Sequence, residues 1–230
     1  MATALLVRHG RTTANAAGLL AGRAVGVSLD PVGRDQAARA ADRLATVPLV
    51  AVVSSPLERC QQTAQHILDR QGGTPYAPVD LDLTECDYGQ WQGRMLSELA
   101  TEDLWPLVQS QPSAVVFPDG ESVAAMQARS VAAVRRLDAA FEAEHGPDAV
   151  WVAVSHGDVL KSILADALGM HLDMFQRIDV GPASVSVVRY GASRPSVHAT
   201  NTDAGDLSWL AKGIHSGDAP VGGGAGREAP

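Results

Sequence analysis

Two histidines stand at the ends of β-branched apolar runs, and each is followed by glycine. The first lies in Ala4-Leu5-Leu6-Val7-Arg8-His9-Gly10 and the second in Val150-Trp151-Val152-Ala153-Val154-Ser155-His156-Gly157. Short apolar runs that end in glycine and lead into a helical pattern read as buried parallel strands feeding tight turns. Open α/β sheets bind ligands beyond the carboxyl ends of their strands, so both imidazoles belong at one rim. Arg8 sets a fixed positive charge beside the first of them. An unprotonated imidazole is a nucleophile, and a neighbouring guanidinium favours that form. The combination points to phosphoryl transfer. Either His-Gly pair taken singly reads equally well as a surface loop.

Elements that could position these residues follow in order. A strand at about 3–8 leads into a glycine-rich loop, and Asp30-Pro31 opens a helix through Leu44, with Asp30 as N-cap and Pro31 at its first position. A strand over Leu49–Val53 ends in Ser54-Ser55, a helix runs from Leu57 to Arg70, and a third strand is expected from Pro78 to Leu83. Residues 85–118 are irregular, with Trp91, Leu104 and Trp105 open to two readings, a ligand wall or core. An insertion of this kind is where substrate selection tends to reside. A long amphipathic helix over Glu121–Glu144 precedes the second His-Gly strand, and a helix from Val159 to Leu168 follows it. Alternation in Ala183–Val188 and Val197–Thr200 predicts a pair of edge strands. The expected architecture is α/β, a three-layer αβα sandwich with a mostly parallel sheet and an antiparallel edge. It makes one domain over 1–203, followed by a flexible Gly/Ala/Pro-rich tail over 204–230.

Composition narrows the class of function. With 46% hydrophobic and 19% charged residues the chain reads as a soluble globular protein. A net charge of −8 argues against nucleic acid or an anionic membrane as partner. Cys60 and Cys86 fit neither a disulfide scaffold nor a zinc spacing, and free thiols suit a cytoplasmic protein. No signal peptide is evident, and the uncharged apolar-rich stretch Leu44 to Leu57 is broken by Pro48 and too short to span a bilayer. His66, His145, His171, His198 and His215 show no metal-ligand spacing, and neither metal nor cofactor is expected.

Arg8-His9-Gly10, Ser54-Ser55-Pro56-Leu57-Glu58-Arg59-Cys60 and Ser155-His156-Gly157, in this order, resemble the histidine phosphatase superfamily, the phosphoglycerate mutase-like group. Leu29–Ala37, Leu83–Gly93 and Pro118-Asp119-Gly120-Glu121-Ser122 extend the resemblance across the chain. It implies His9 as the nucleophile that becomes phosphohistidine, with Arg8, Arg59 and His156 around the phosphoryl oxygens. His156 would serve as a protonated donor. Thr12 and Asn15 would be neutral phosphate donors, and Gly10 and Gly157 would let the backbone approach the phosphate. Glu85 resembles the general acid, although Asp82 and Asp87 stay open as alternatives. Asp158 reads as well as a helix N-cap.

Phosphoglycerate mutases of this group carry a basic residue after the Glu85 position, a lysine after the Gly93 block and paired arginines in the insertion. Here Cys86 and Leu96 stand at the first two places, and no Lys or Arg lies between Arg94 and Arg129. The expectation is therefore a metal-independent phosphomonoesterase for a small phosphorylated metabolite. The alternatives are a phosphomutase on another substrate and, more remotely, an inactive phosphoryl-binding protein. Oligomeric state is left open, a homodimer included.

Overall fold

A computed structural model describes residues 2–191, 193–205 and 220–226. Five strands form one sheet in the order β2-β3-β1-β4-β5. They are β1 (Thr3–Arg8), β2 (Ala51–Ser54), β3 (Val150–Ser155), β4 (Val185–Arg189) and β5 (Ser196–Thr202). β1 and β2 both pair with β3 in parallel, whereas β4 and β5 add an antiparallel edge. The helices are α1 (Thr13–Ala16), α2 (Pro31–Leu44), α3 (Glu58–Leu68), α4 (Leu96–Leu99), α5 (Trp105–Ser110), α6 (Val123–His145) and α7 (Gly157–Ala167). The architecture is the αβα sandwich expected.

Side-chain alternation along buried strands divides the core into two halves. Leu5 and Val7 of β1 face one side with Val152 and Val154 of β3, against Ala41 and Leu44 of α2 and Cys60, Ala64 and Ile67 of α3. Ala4 and Leu6 face the other side with Trp151 and Ala153, against Val134, Leu137 and Phe141 of α6 and Leu160 and Ile163 of α7. Both halves are needed to bury the sheet, and its carboxyl edge is left where β1, β2 and β3 end at Arg8, Ser54 and Ser155.

Two expectations are corrected. The third strand does not form over 78–83. Instead residues 76–80 run beside β2 through isolated bridges at Tyr76 and Val79, and Asp80 caps a 3-10 turn over Leu81–Leu83. Pro75 and Pro78 each lack an N–H, which restricts this stretch to the outer edge and interrupts a ladder. The predicted flexible tail also contains a packed piece. Residues 220–226 fold back on the carboxyl edge with Val221 buried, whereas 206–219 and 227–230 lie outside the described residues.

The insertion resolves in favour of core. Trp91 and Trp105 are buried and stack with centroids 6.0 Å apart, and Phe117 meets Trp91 edge-on. No helix among the described residues is long and apolar enough to cross a membrane.

The loop after β1 is held by α2. Asp30 caps α2 by accepting from the Gly33 amide at 2.7 Å and pairs with Arg11 Nε at 2.8 Å. Gly10 and Gly33 meet backbone to backbone, and a Cβ on Gly33 would overlap the Arg11 carbonyl. The lack of a side chain at Gly10 thus serves this packing. Gly33→Ala would gain up to about 1 kcal/mol of helix propensity, but nothing flexible lies in its way to give. Overpacking of this kind costs about 1–3 kcal/mol. A lower Tm is expected, at roughly 2–4 °C per kcal/mol for a domain this size. A rise in Tm on thermal melting would contradict this account.

Candidate active site

His9 is the first residue beyond β1 and is buried. Its Nδ1 lies 2.7 Å from the Gly10 carbonyl. A carbonyl only accepts, so Nδ1 carries the proton and Nε2 presents a lone pair. Arg59, in the first turn of α3, donates its Nε–H to that Nε2 at 3.3 Å. Arg59 also donates from Nη2 to the Gly22 carbonyl at 2.7 Å, and its Nη1 is buried without a partner. Burial, then the charges of Arg59 and Arg8, push His9 well below the ordinary histidine value. The imidazole is therefore neutral, and the nitrogen that faces the cavity is deprotonated, with the long bond from Arg59 on its lone pair.

His156 stands 5.3 Å from His9 between ring centroids. It is the N-cap residue of α7, and its Nε2 lies 2.8 Å from Ser55 Oγ. Burial pushes it well below the ordinary value, with Arg59, His9 and Arg8 adding to the effect. The protonated donor expected from sequence is thus a neutral imidazole, which still has one N–H to donate. The N-cap reading of Asp158 fails for the same reason, because His156 holds that position. Asp158 is instead buried inside α7, where its Oδ2 accepts from Tyr88 Oη and from the Gly222 amide, each at 2.8 Å.

Glu85 lies on the irregular segment after the 3-10 turn, 3.9 Å from His156 Nδ1. Its Oε1 accepts from the Cys86 amide at 2.9 Å. Burial and the nearby Asp158 charge raise its pKa to about 7, although Arg59, the Cys86 amide and Arg8 pull the other way. Asp82 is exposed and Asp87 half-buried, and neither lines the cavity, so the geometry favours Glu85 over both. Its backbone is clamped by a set of residues that sequence reasoning missed. Arg23 Nε and Arg129 Nη2 donate to the Glu85 carbonyl at 2.8 and 3.1 Å, and Glu121 bridges the two guanidinium groups. Glu121 lies in the Pro118–Ser122 block already noted in the sequence, which was the available signal.

Arg8 is fully buried, and burial lowers it to about 10. It donates from Nη1 to the Val180 and Gly223 carbonyls at 2.9 and 2.7 Å, and from Nη2 to the Gly224 carbonyl, while its Nε has no partner. Thr12 caps α1 in a reciprocal box with Asn15, donating its hydroxyl to Asn15 Oδ1 at 2.9 Å. That arrangement engages Thr12 and turns the side-chain amide nitrogen of Asn15 into the donor on offer. A cavity of about 20 Å³ is lined by His9, Thr12, Asn15, Arg59, Glu85 and Leu96 together with part of 220–226. Arg8, His156 and Gly157 do not line it: His156 stands against His9, and Arg8 and Gly157 pack against Gly223. Cys60 is packed against His156, and burial pushes its thiol up to about 12. At neutral pH it is a filler and not a reactive thiolate. Among the described residues no His/Cys/Asp/Glu group could hold a metal ion.

The family model of the histidine phosphatase superfamily (branch 1) matches residues 4–203. A Yersinia pestis protein named as a probable phosphoglycerate mutase, GpmB, is 33% identical over 191 residues, covering 82% of this chain and 85% of the relative. Among solved structures, a mycobacterial glucosyl-3-phosphoglycerate phosphatase in complex with VO3 superposes with a TM-score of 0.77 at 28% identity, covering 87% of this chain and 99% of the other. Bacillus stearothermophilus YhfR gives 0.79 at 25% identity over 89% and 98%. The chain belongs to the histidine phosphatase superfamily.

Proposed function

We propose that the protein is a cytoplasmic phosphomonoesterase that hydrolyses a small phosphorylated metabolite through a phosphohistidine on His9, without a metal. The observation that carries this reading is the pairing in one cavity of an imidazole with its lone pair on Nε2 and a carboxyl whose pKa is about 7. The lone pair of Nε2 forms a bond to phosphorus as the ester P–O bond breaks, and the leaving oxygen takes the Glu85 proton. The Glu85 carboxylate then removes a proton from water. The water oxygen bonds to phosphorus, the N–P bond breaks and phosphate departs. The unpartnered N–H groups of Arg8 and Arg59 are buried donors suited to the equatorial oxygens, where charge spreads in the transition state. His156 adds a further donor, and the Asn15 amide another.

A phosphomutase is the second reading, favoured by the likeness to the Yersinia protein. Against it, the cavity wall carries Leu96 where a mutase of this group would present a cation, and Cys86 is buried beside Glu85. An inactive binding protein is disfavoured because nucleophile, acid and guanidinium groups are all present in one place. p-Nitrophenyl phosphate should be hydrolysed equally with and without EDTA. 3-Phosphoglycerate with a bisphosphate primer should give free phosphate or no reaction. Formation of 2-phosphoglycerate would establish the mutase instead, and dependence on metal would overturn the scheme.

A further inference from the structure

Residues 220–226 occupy the ligand side of Arg8. The carbonyls of Gly222, Gly223 and Gly224 all accept from its guanidinium, and the Gly222 amide is tied to Asp158. Val221 anchors the segment as a buried part of the core, and Gly222 sits against Leu20. The chain is left-handed at Gly222, Gly223 and Gly224, with φ of 73°, 82° and 59°. At Gly223 the fit is tight as well: a Cβ would lie 2.9 Å from Arg8 Cζ and 3.0 Å from Gly157 Cα. Only a glycine run can lay three successive carbonyls on a buried guanidinium in this way.

The space left beside the segment is narrow, a cavity of about 20 Å³. Both terminal nitrogens of Arg8 are taken by the Gly222, Gly223 and Gly224 carbonyls, so a phosphoryl oxygen cannot bond to them while the segment is docked. On its far side the same segment lines a second cavity of about 260 Å³ with Lys161, Asp179 and Val180, so its departure would join the two spaces.

We infer that residues 220–226 are an autoinhibitory plug, a neutral stand-in that holds the Arg8 oxyanion position until an anion displaces it. The inference rests on the phosphoryl-site reading above. Neutral carbonyls bind a guanidinium more weakly than charged oxygens do, so a dianionic phosphate ester wins the exchange where a neutral ligand does not. The apparent affinity is reduced by the fraction of molecules already open. A segment docked nine-tenths of the time weakens binding by about tenfold.

The test uses the full chain and orthovanadate, whose binding by calorimetry needs no turnover. Gly223→Ala places a methyl against Arg8 Cζ, and Val221→Asp puts a charge in the buried anchor position. Each is expected to tighten vanadate binding by about tenfold and to lower KM for p-nitrophenyl phosphate. In the unaltered protein, hydrogen exchange at the Gly222 and Gly223 amides should be slow and should speed up as vanadate saturates. Weaker vanadate binding in both variants would make the segment a working lid and overturn the inference, as would unchanged binding in both. Vanadate that binds while both amides stay protected would also overturn it, and would leave phosphoryl transfer standing. A protein without turnover on any ester, in which vanadate still releases the two amides, would overturn the hydrolase reading and leave the plug.

Discussion

Replacing His9 by alanine is expected to lower kcat/KM for p-nitrophenyl phosphate by about 10⁴- to 10⁶-fold, the range seen when a nucleophile acting within a catalytic unit is removed. The fold should survive. His9 is held neutral, so its loss leaves the local charge balance unchanged, and no other core side chain depends on it for a hydrogen bond except the Nε of Arg59. The expected size of the effect follows from which imidazole can attack. His156 is equally buried, but its Nε2 is engaged by Ser55 and it does not line the cavity. His9 lines the cavity, and its Nε2 is held only by the longer 3.3 Å bond from Arg59, which substrate oxygens can replace. Mass spectrometry of turnover quenched in base should find the phosphoryl group on the His9 peptide, with none in His9→Ala. A variant that keeps one hundredth of the activity while melting normally, or a label on another residue, would remove His9 from the role.

Much of this site was legible because its parts sit at positions that local sequence determines. The short apolar runs before Arg8 and Ser155 point to two parallel strands and hence to the rim on which both histidines lie. Asp30-Pro31 fixed the start of α2 as drawn. Arg59, four residues past Ser55, had to appear one turn into the next helix at the same edge. What escaped was set by partners distant in sequence. Arg23 and Arg129 look like solvated surface charges until Glu121 is seen between them. Asp158 has the spacing of an N-cap, but its partners Tyr88 and Gly222 draw it into the core. The run Val221–Gly226 has the composition of a linker, because composition cannot report that a buried guanidinium lies opposite each carbonyl. The downward shift of His156 escaped for a related reason. Spacing does not reveal that its surroundings are dry and already positive.

Glu85 is expected to govern the alkaline side of the pH profile. Burial, with Asp158, holds its pKa at about 7, whereas His9 is pushed well below its ordinary value. The productive form has His9 unprotonated and Glu85 protonated, so kcat/KM should be flat through the mildly acidic range and fall about tenfold per pH unit above 7. Glu85→Gln should cost about 10²- to 10⁴-fold on an alkyl phosphate, whose leaving oxygen needs the proton, and should abolish the alkaline limb. On p-nitrophenyl phosphate, whose leaving group departs as a stable anion, the loss should be smaller. The same shift predicts a stability effect of defined sign. Between about pH 4.5 and 7 the folded protein keeps a proton that the unfolded chain releases, so stability falls as pH rises through that window. Glu85→Gln has no such proton to lose. Its Tm relative to the unaltered protein should climb from pH 4.5 to 7 and then level off. A rate profile flat to pH 9, or equal losses on alkyl and aryl esters, would show that the proton reaches the leaving oxygen from another group.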